Sequence, residues 1–307
     1  MGLFGQKESE QVHVADVTRS VGGWLLPQSW RGRAARAALA LAVPLTLAAC
    51  SPDRPREPAS DSADGPGTGI EVEYIAHAAF LLRAPDGTEL LIDPYASRVW
   101  LGYDWPEGIE PDAILITHPH YDHDAGRYRG AEFPWTQAVP VLDAPGVASF
   151  GAFTVTGVEG KHADPYGMEF GQLNTLLLIE AAGLRIAHLG DNGPLTPAMV
   201  EGLGRVDVLM IPADGADHIL AEEVTLQIFE QLDPRIVIAM HYRLGDLEAD
   251  ADSPSDLGDV DPWLNRRDGV RRLEGHATTL RIDELPDSRT FLVFEHAPYV
   301  TAPREAR

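Results

Sequence analysis

The sequence predicts an α/β fold: two sheets packed face to face with helices outside, an αββα sandwich. Three observations carry this. Apolar runs of strand length recur from Ile70 to Phe294, bounded by turn residues. Between the later runs lie segments with helix caps and helical periodicity. The chain beyond residue 69 is also of about the length one domain of packed layers requires, roughly 235 residues.

In chain order, Ile70 to Ala76 and Phe80 to Arg83 read as strands. Asp86-Gly87 is a hairpin turn signal, and Leu90 to Ile92 is the strand after it. Ala113 to Ile116 is short and wholly apolar, as a buried strand should be. Phe153 to Val158 is strand-like, and Asn174 to Glu180 with Leu184 to Leu189 forms a hairpin around Ala182-Gly183. A helix is expected over Thr196 to Leu203, with Thr196 as cap and Pro197 at the first position. After the apolar tract Val206 to Pro212, a second helix should run from Ala221 to Leu232 and stop before Pro234. Ile236 to Met240 is another apolar run, and Thr279 to Ile282 and Thr290 to Phe294 are the C-terminal strands. The acidic stretch Asp246 to Asp261 reads as a solvated loop, and no repeat has solenoid spacing.

The most informative segment is His118-Pro119-His120-Tyr121-Asp122-His123, directly after the apolar run ending at Ile116. A loop leaving a strand end can point alternate side chains into one cavity. His118 and His120 can then share one metal ion, while Asp122 and His123 turn towards a second. Imidazole nitrogen and carboxylate oxygen are ligands that Zn, Mn and Fe accept. Three further candidates follow apolar runs: His162, Asp191 in Gly190-Asp191-Asn192, and His241. A lone strand-end His is usually structural. The same placement repeated brings residues distant in sequence to one rim.

This pattern, His118-x-His120-x-Asp122-His123 followed by His162, Asp191 and His241, resembles the metallo-β-lactamase superfamily of metal-dependent hydrolases across roughly Ile70 to Val300. Ile75-Ala76-His77-Ala78-Ala79-Phe80, Leu91-Ile92-Asp93-Pro94 and Pro194-Leu195-Thr196-Pro197 resemble the branch typified by the ascorbate-6-phosphate lactonase. The tetrad at His120 to His123 is also similar to that of the N-acyl-phosphatidylethanolamine phospholipase D. The chain departs at Asn192, where a small or hydroxyl residue is common, and at Asp214-Gly215-Ala216-Asp217-His218, which replaces a Gly-rich loop.

The resemblance implies a four-layer metallo-β-lactamase-type sandwich with two divalent ions, Zn first and Mn or Fe as alternatives. His118, His120 and His162 would hold one ion, Asp122, His123 and His241 the other, with Asp191 bridging. A hydroxide shared by the ions would attack a small ester, lactone or phosphodiester. Asp122 is a candidate for proton delivery to the leaving group. No Gly-x-Ser-x-Gly elbow offers a serine nucleophile instead. The alternatives are an iron-dependent oxidoreductase of the same fold and a non-catalytic metal-binding envelope scaffold. The full two-metal set speaks against both.

Around these ligands, Asp93 is expected to orient the ligand loop or to form the turn before Pro94. His77 belongs at the site edge or is a hydrogen-bonded strand-end residue. His188 reads as core or as a support behind the ligands rather than a ligand, His218 is a substrate-facing candidate, and His276 and His296 have no supporting pattern. Trp100, Tyr103 and Trp105 either wall a pocket or pin their loop.

Residues 1–49 read as a lipoprotein-type export signal. Arg31, Arg33 and Arg36 precede an apolar stretch, Ala37 to Ala49, too short to span a bilayer as a permanent helix. Leu47-Ala48-Ala49-Cys50 resembles a bacterial lipobox, with lipidation at Cys50, the single cysteine. Residues 50–69 form a Pro-, Ser-, Asp- and Gly-rich tether, and 70–307 the hydrolase domain. Ser51 after the cysteine favours a periplasm-facing outer-membrane location in the envelope of a double-membrane bacterium. The net charge is −23, and removing residues 1–49 takes away five basic and three acidic residues, leaving about −25. With no basic stripe, such a surface repels nucleic acid. The expected partners are therefore a small-molecule substrate and, through the lipid, the membrane.

Overall fold

The computed structural model describes residues 69–96, 101, 103–126, 139–163, 165, 167–244, 257–295 and 297. They fall in a unit spanning residues 62–307; a second unit, 1–61, which includes the expected signal and Cys50, lies outside the described residues. Trp100, His296 and most of the acidic stretch from Asp246 also lie outside them.

The described strands form two sheets. The first holds β1 (Ile70–Ala76), β2 (Ala79–Arg83), β3 (Glu89–Ile92), β4 (Ala113–Leu115) and β5 (Val141–Leu142) in sequence order. The second holds β6 (Gly146–Phe150), β7 (Phe153–Lys161), β8 (Leu173–Ala181), β9 (Leu184–His188), β10 (Val208–Pro212), β11 (Ile236–Met240) and β12 (Val270–Leu273). Two late strands complete the sheets: β13 (Ala277–Leu280) joins the first at its edge beside β1, and β14 (Thr290–Phe294) lies between β11 and β12 inside the second. The layers expected from the sequence are therefore two face-to-face sheets, and α1 (Pro197–Leu203), α2 (Glu222–Leu232) and α3 (Asp261–Leu264) pack on the second.

Burial explains why each strand forms where it does. β10 and β11 are parallel and every residue in them is buried, which requires the unbroken apolar runs seen in the sequence. Between the sheets, Tyr74 of β1 stacks on Phe294 of β14 at 5.5 Å, and Phe80 of β2 meets His188 of β9 edge-on at 6.0 Å. Each fully buried large apolar side chain in this layer contributes about 1.5–3 kcal/mol. On the outer face, α2 buries Thr225, Ile228, Phe229 and Leu232, the i, i+3, i+4, i+7 stripe of an amphipathic helix. It ends at Asp233 in a left-handed conformation, before Pro234. α1 is capped by the Thr196 hydroxyl, which accepts from the Met199 N–H at 3.3 Å.

Two strand boundaries differ from expectation by more than one residue. The strand expected over Thr279 to Ile282 is β13, Ala277–Leu280, and Ile282 starts a 3-10 turn. Leu280 pairs with Ile70, the first residue of β1, so no partner remains for a longer strand. Phe153 to Val158 extends to Lys161 because β8 pairs with β7 along its whole remaining length. This extension carries the chain straight to His162.

Candidate metal centre

Each site residue follows a strand. His77 follows β1, Asp93 follows β3, His118 to His123 follow β4, His162 follows β7, Asp191 follows β9 and His241 follows β11. Strand order alone therefore delivers them to one rim of the sandwich. The backbone is bent sharply to present them: His77, Asp93 and His241 have φ of 58°, 45° and 60°. Left-handed backbone at non-glycine residues costs about 1–3 kcal/mol each and concentrates at functional sites. Gly190 (φ 53°) is needed beside Asp191, since a Cβ there would lie 2.6 Å from the Thr117 side chain.

The side chains meet in two groups. In one, His118, His120 and His162 bring ligand atoms within 4.8 Å of one another. In the other, His77, Asp122, His123 and His241 do the same. Asp191 lies between them. Its Oδ2 is 3.6 Å from His162 Nε2 and 3.8 Å from His118 Nε2 on one side, and 3.2 Å from His241 Nε2 on the other. Its Oδ1 is 3.3 Å from His123 Nε2. His77 is not at the edge of the site. It is fully buried, its Nε2 is 3.0 Å from Asp122 Oδ2, and its ring lies 4.0 Å from that of His241.

Hydrogen bonds set the tautomers. Asp93 is fully buried and accepts from the Thr117 N–H (2.8 Å), the Thr117 hydroxyl (2.7 Å) and His123 Nδ1 (2.7 Å). The Thr117 hydroxyl gives its one hydrogen to Asp93, so it accepts from His118 Nδ1 at 3.0 Å. His162 Nδ1 donates to the Ala163 carbonyl at 3.0 Å. In all three histidines an acceptor fixes the Nδ1 hydrogen, so Nε2 is the ring atom turned to the centre.

Buried charge shapes the electrostatics. Burial pushes the His118 imidazole well below its ordinary range, reinforced by His123. Burial, with His241 beside it, takes His77 down to about 3. Burial alone would raise the Asp122 and Asp191 carboxyls; His123 and His77 outweigh it at Asp122, and His241 and His123 at Asp191, so both stay ionised. Burial likewise opposes charge on His123, but Asp191, Asp122 and Asp93 overcome it and raise its pKa.

The residues fit divalent cations on the orphaned atoms alone. The Nε2 atoms of His118, His123, His162 and His241 and Oδ1 of Asp191 are buried without a hydrogen-bond partner. Among the described residues no Arg or Lys pairs with Asp93, Asp122 or Asp191. Leaving so many polar atoms unsatisfied would cost about 1–3 kcal/mol each, and more for charged ones. Cations among imidazole nitrogens and carboxylate oxygens remove that cost.

Other expected residues are placed as follows. His218 stacks on His241 at 5.8 Å, half-buried at the rim. His188 is turned away from the Nε2 cluster: its Nε2 lies 3.1 Å from the Ala78 carbonyl, and its Nδ1 accepts from the Gly190 N–H. His276 lies beside Glu73 at 3.5 Å, outside the centre. Tyr103 and Trp105 pin their loop: the Tyr103 hydroxyl accepts from the Leu244 N–H, and Trp105 packs on Tyr95 at 4.9 Å. Asn192 links the rim, its Oδ1 accepting from Lys161 N–H (2.7 Å) and Asn174 Nδ2 (3.2 Å). Sequence reasoning assigned no role to Thr117 or to Phe170, whose ring meets His120 at 5.3 Å. Thr117 adjoins the ligand motif, a usable signal; Phe170 has none.

Comparison with known proteins bears on this geometry. The family described as "Beta-lactamase superfamily domain" matches residues 71–241, from β1 to His241. A UPF0173 protein of Pyrococcus furiosus is 31% identical over 185 residues, 56% of this chain and 83% of the relative. A UPF0173 metal-dependent hydrolase of Myxococcus xanthus is 28% identical over 234 residues, 67% of this chain and 83% of the relative. Among solved structures, one provisionally assigned as a Zn-dependent hydrolase of the metallo-beta-lactamase superfamily, from Thermotoga maritima, matches with a TM-score of 0.53 at 25% identity. The match covers 73% of this chain and 98% of that one.

Proposed function

We infer the activity from kinship and geometry together: the chain belongs to the beta-lactamase superfamily and, within it, to the UPF0173 family. The proposed activity is metal-dependent hydrolysis at a two-ion centre. His118, His120 and His162 would hold one ion, and Asp122, His123 and His241 the other. The observation that carries this reading is Asp191, whose carboxylate oxygens lie within 3.8 Å of histidines of both groups.

Divalent ions held there supply Lewis acidity and a water that ionises near neutral pH. The chain's residues do the rest. Asp191 keeps the two groups in register. Asp93 and Thr117 hold the proton on Nδ1 of His118 and His123, so both rings present Nε2 to the centre. His77, neutral at pH 7, steadies Asp122 Oδ2, and Asp122 is the proposed proton carrier to the leaving group.

The proposed substrate is a small ester, lactone or phosphodiester, in keeping with the lactonase-like motifs at His77 and Asp93. A net charge of −23 opposes polyanions, so DNA and RNA are disfavoured. The proposed setting is the envelope face of a membrane, with Cys50 lipidated and residues 51–69 as tether. The test is turnover of esters, lactones, bis-p-nitrophenyl phosphate, DNA and RNA by the metal-loaded full chain and by Asp191→Ala. Small-substrate turnover that disappears in the variant supports the proposal. Nucleic-acid cleavage that disappears in the variant would overturn the substrate class, and inactivity on all substrates would overturn the hydrolase reading.

A further inference from the structure

We propose that a cavity on the His118 side of the centre receives the non-reacting part of the substrate, and that it selects a singly charged organic anion with a short apolar body whose carboxylate is held by Lys161. Its role rests on the hydrolase reading above; its chemistry rests on the cavity itself.

The cavity has a volume of about 750 Å³, inside the range of roughly 300–1,000 Å³ usual for small-molecule sites. It opens where β6 stops. β6 pairs with β7 only as far as Gly157, so among the described residues Val158 to Lys161 have a strand neighbour, β8, on one side only. Thr117 and His118 form the wall shared with the centre, and Ala198 of α1 stands at another side. The loop before β8 separates the two spaces. On one side Phe170 meets His120 at 5.3 Å; on the other, Gly171 to Leu173 line the cavity. A ligand in the cavity is therefore one loop's width from the centre.

Lys161 is the feature that calls for a ligand. The chain has only two lysines, Lys7 and Lys161, against twenty-two arginines. Among the described residues, arginines are held in structural pairs such as Arg83 with Glu71 and Glu89, and Arg267 with Glu222. Lys161 makes no ion pair among the described residues. Its backbone is fixed on both sides, the N–H donating to Asn192 Oδ1 at 2.7 Å and the carbonyl accepting from Gly193 N–H at 2.9 Å. The next residue is His162. The Lys161 backbone is thus fixed at the cavity one residue from His162, and its exposed side chain brings a compact ammonium to a domain whose net charge is negative.

The remaining lining narrows the ligand. Val158 and Leu173 are apolar, and Leu173 is 63% exposed. Asp143 and Glu159 also line the space. They outnumber the single ammonium, so a dianion is repelled and a single carboxylate is held only through direct contact with Lys161. The corresponding substrate is an ester or lactone that carries a free carboxylate next to an apolar chain.

The test uses the metal-stripped full chain, so that binding is read apart from turnover. Its two lysines are labelled by reductive ¹³C-methylation, and 4-phenylbutyrate is titrated as the probe. The Lys161 methyl signal should shift and saturate while that of Lys7 stays put. By calorimetry on unlabelled protein, 4-phenylbutanol and phenylsuccinate should each bind at least about tenfold more weakly, as loss of a charge-assisted contact requires. Lys161→Gln should weaken 4-phenylbutyrate by a similar factor, and Ala198→Trp should block it sterically. Equal affinity for acid and alcohol, or an unchanged affinity in both variants, would overturn the proposal. Binding without turnover of any ester by the zinc-loaded chain would count against the hydrolase reading alone; ester turnover without binding would count against this pocket alone.

Discussion

Replacement of Asp93 by Asn tests the relay that sets both halves of the centre. The wild-type carboxylate accepts three hydrogen bonds, two from Thr117 and one from His123 Nδ1, at 2.7–2.8 Å. Asn has the same shape but one acceptor oxygen. If that oxygen keeps the Thr117 N–H, the amide nitrogen must face the Thr117 hydroxyl and His123 Nδ1, both donors in the wild type. The Thr117 hydroxyl then turns, and His118 Nδ1 loses its acceptor. Two bonds to a buried charge are lost, each worth about 1.5–3 kcal/mol, with part recovered by the reversed hydroxyl. Stability should fall by about 2–4 kcal/mol, and divalent-ion affinity by about 10- to 100-fold, or about 1.4–2.7 kcal/mol. Competition against a zinc indicator measures the affinity, and urea unfolding the stability. A folded Asp93→Asn protein with affinity within about twofold of wild type would refute the relay.

Three more outcomes are expected. His188→Ala should lose about 2–4 kcal/mol in urea unfolding, because it opens a void and strands the Ala78 carbonyl and the Gly190 N–H, yet keep its full metal content; metal loss with the fold intact would contradict this placement. His77 is held near pKa 3 in the folded chain against about 6.5 unfolded, so between these values only the unfolded chain takes up its proton, and stability falls with falling pH by about 1.4 kcal/mol per unit. Metal-free His77→Gln should show a shallower slope by that amount in the same window, and parallel slopes would show that His77 does not titrate this way. Fatty-acid analogue labelling of producing cells should mark wild type and leave Cys50→Ala unmarked; equal labelling would remove the lipid anchor from the account.

The sequence located the clustered side chains for a physical reason. Each is local to the end of an apolar run, so strand periodicity and ligand type together locate His118 to His123, His162, Asp191 and His241 on one rim. The buried strands β10 and β11 were legible for the same reason. Where burial is weak, so is the signal: β6 is mostly exposed, β5 is two residues long, and β12 buries only Leu273. The end of β13 depended on where β1 begins, some two hundred residues earlier, which periodicity does not encode. The depth of His77 arose likewise from contacts with Asp122 and His241, distant in sequence. The Asp93–Thr117–His118 chain joins the β3 and β4 strand ends through side-chain directions, which spacing alone does not give.

The central claim is a two-ion centre held together by Asp191. The most direct measurement is the metal stoichiometry of the purified full chain after zinc reconstitution and removal of excess ion, with Asp191→Ala measured in parallel. The account predicts close to two equivalents in wild type, on the ligand logic of paired sites, and loss of tightly held metal in a variant that still melts cooperatively. Two equivalents retained at wild-type affinity in folded Asp191→Ala, or one equivalent at saturation in wild type, would contradict it.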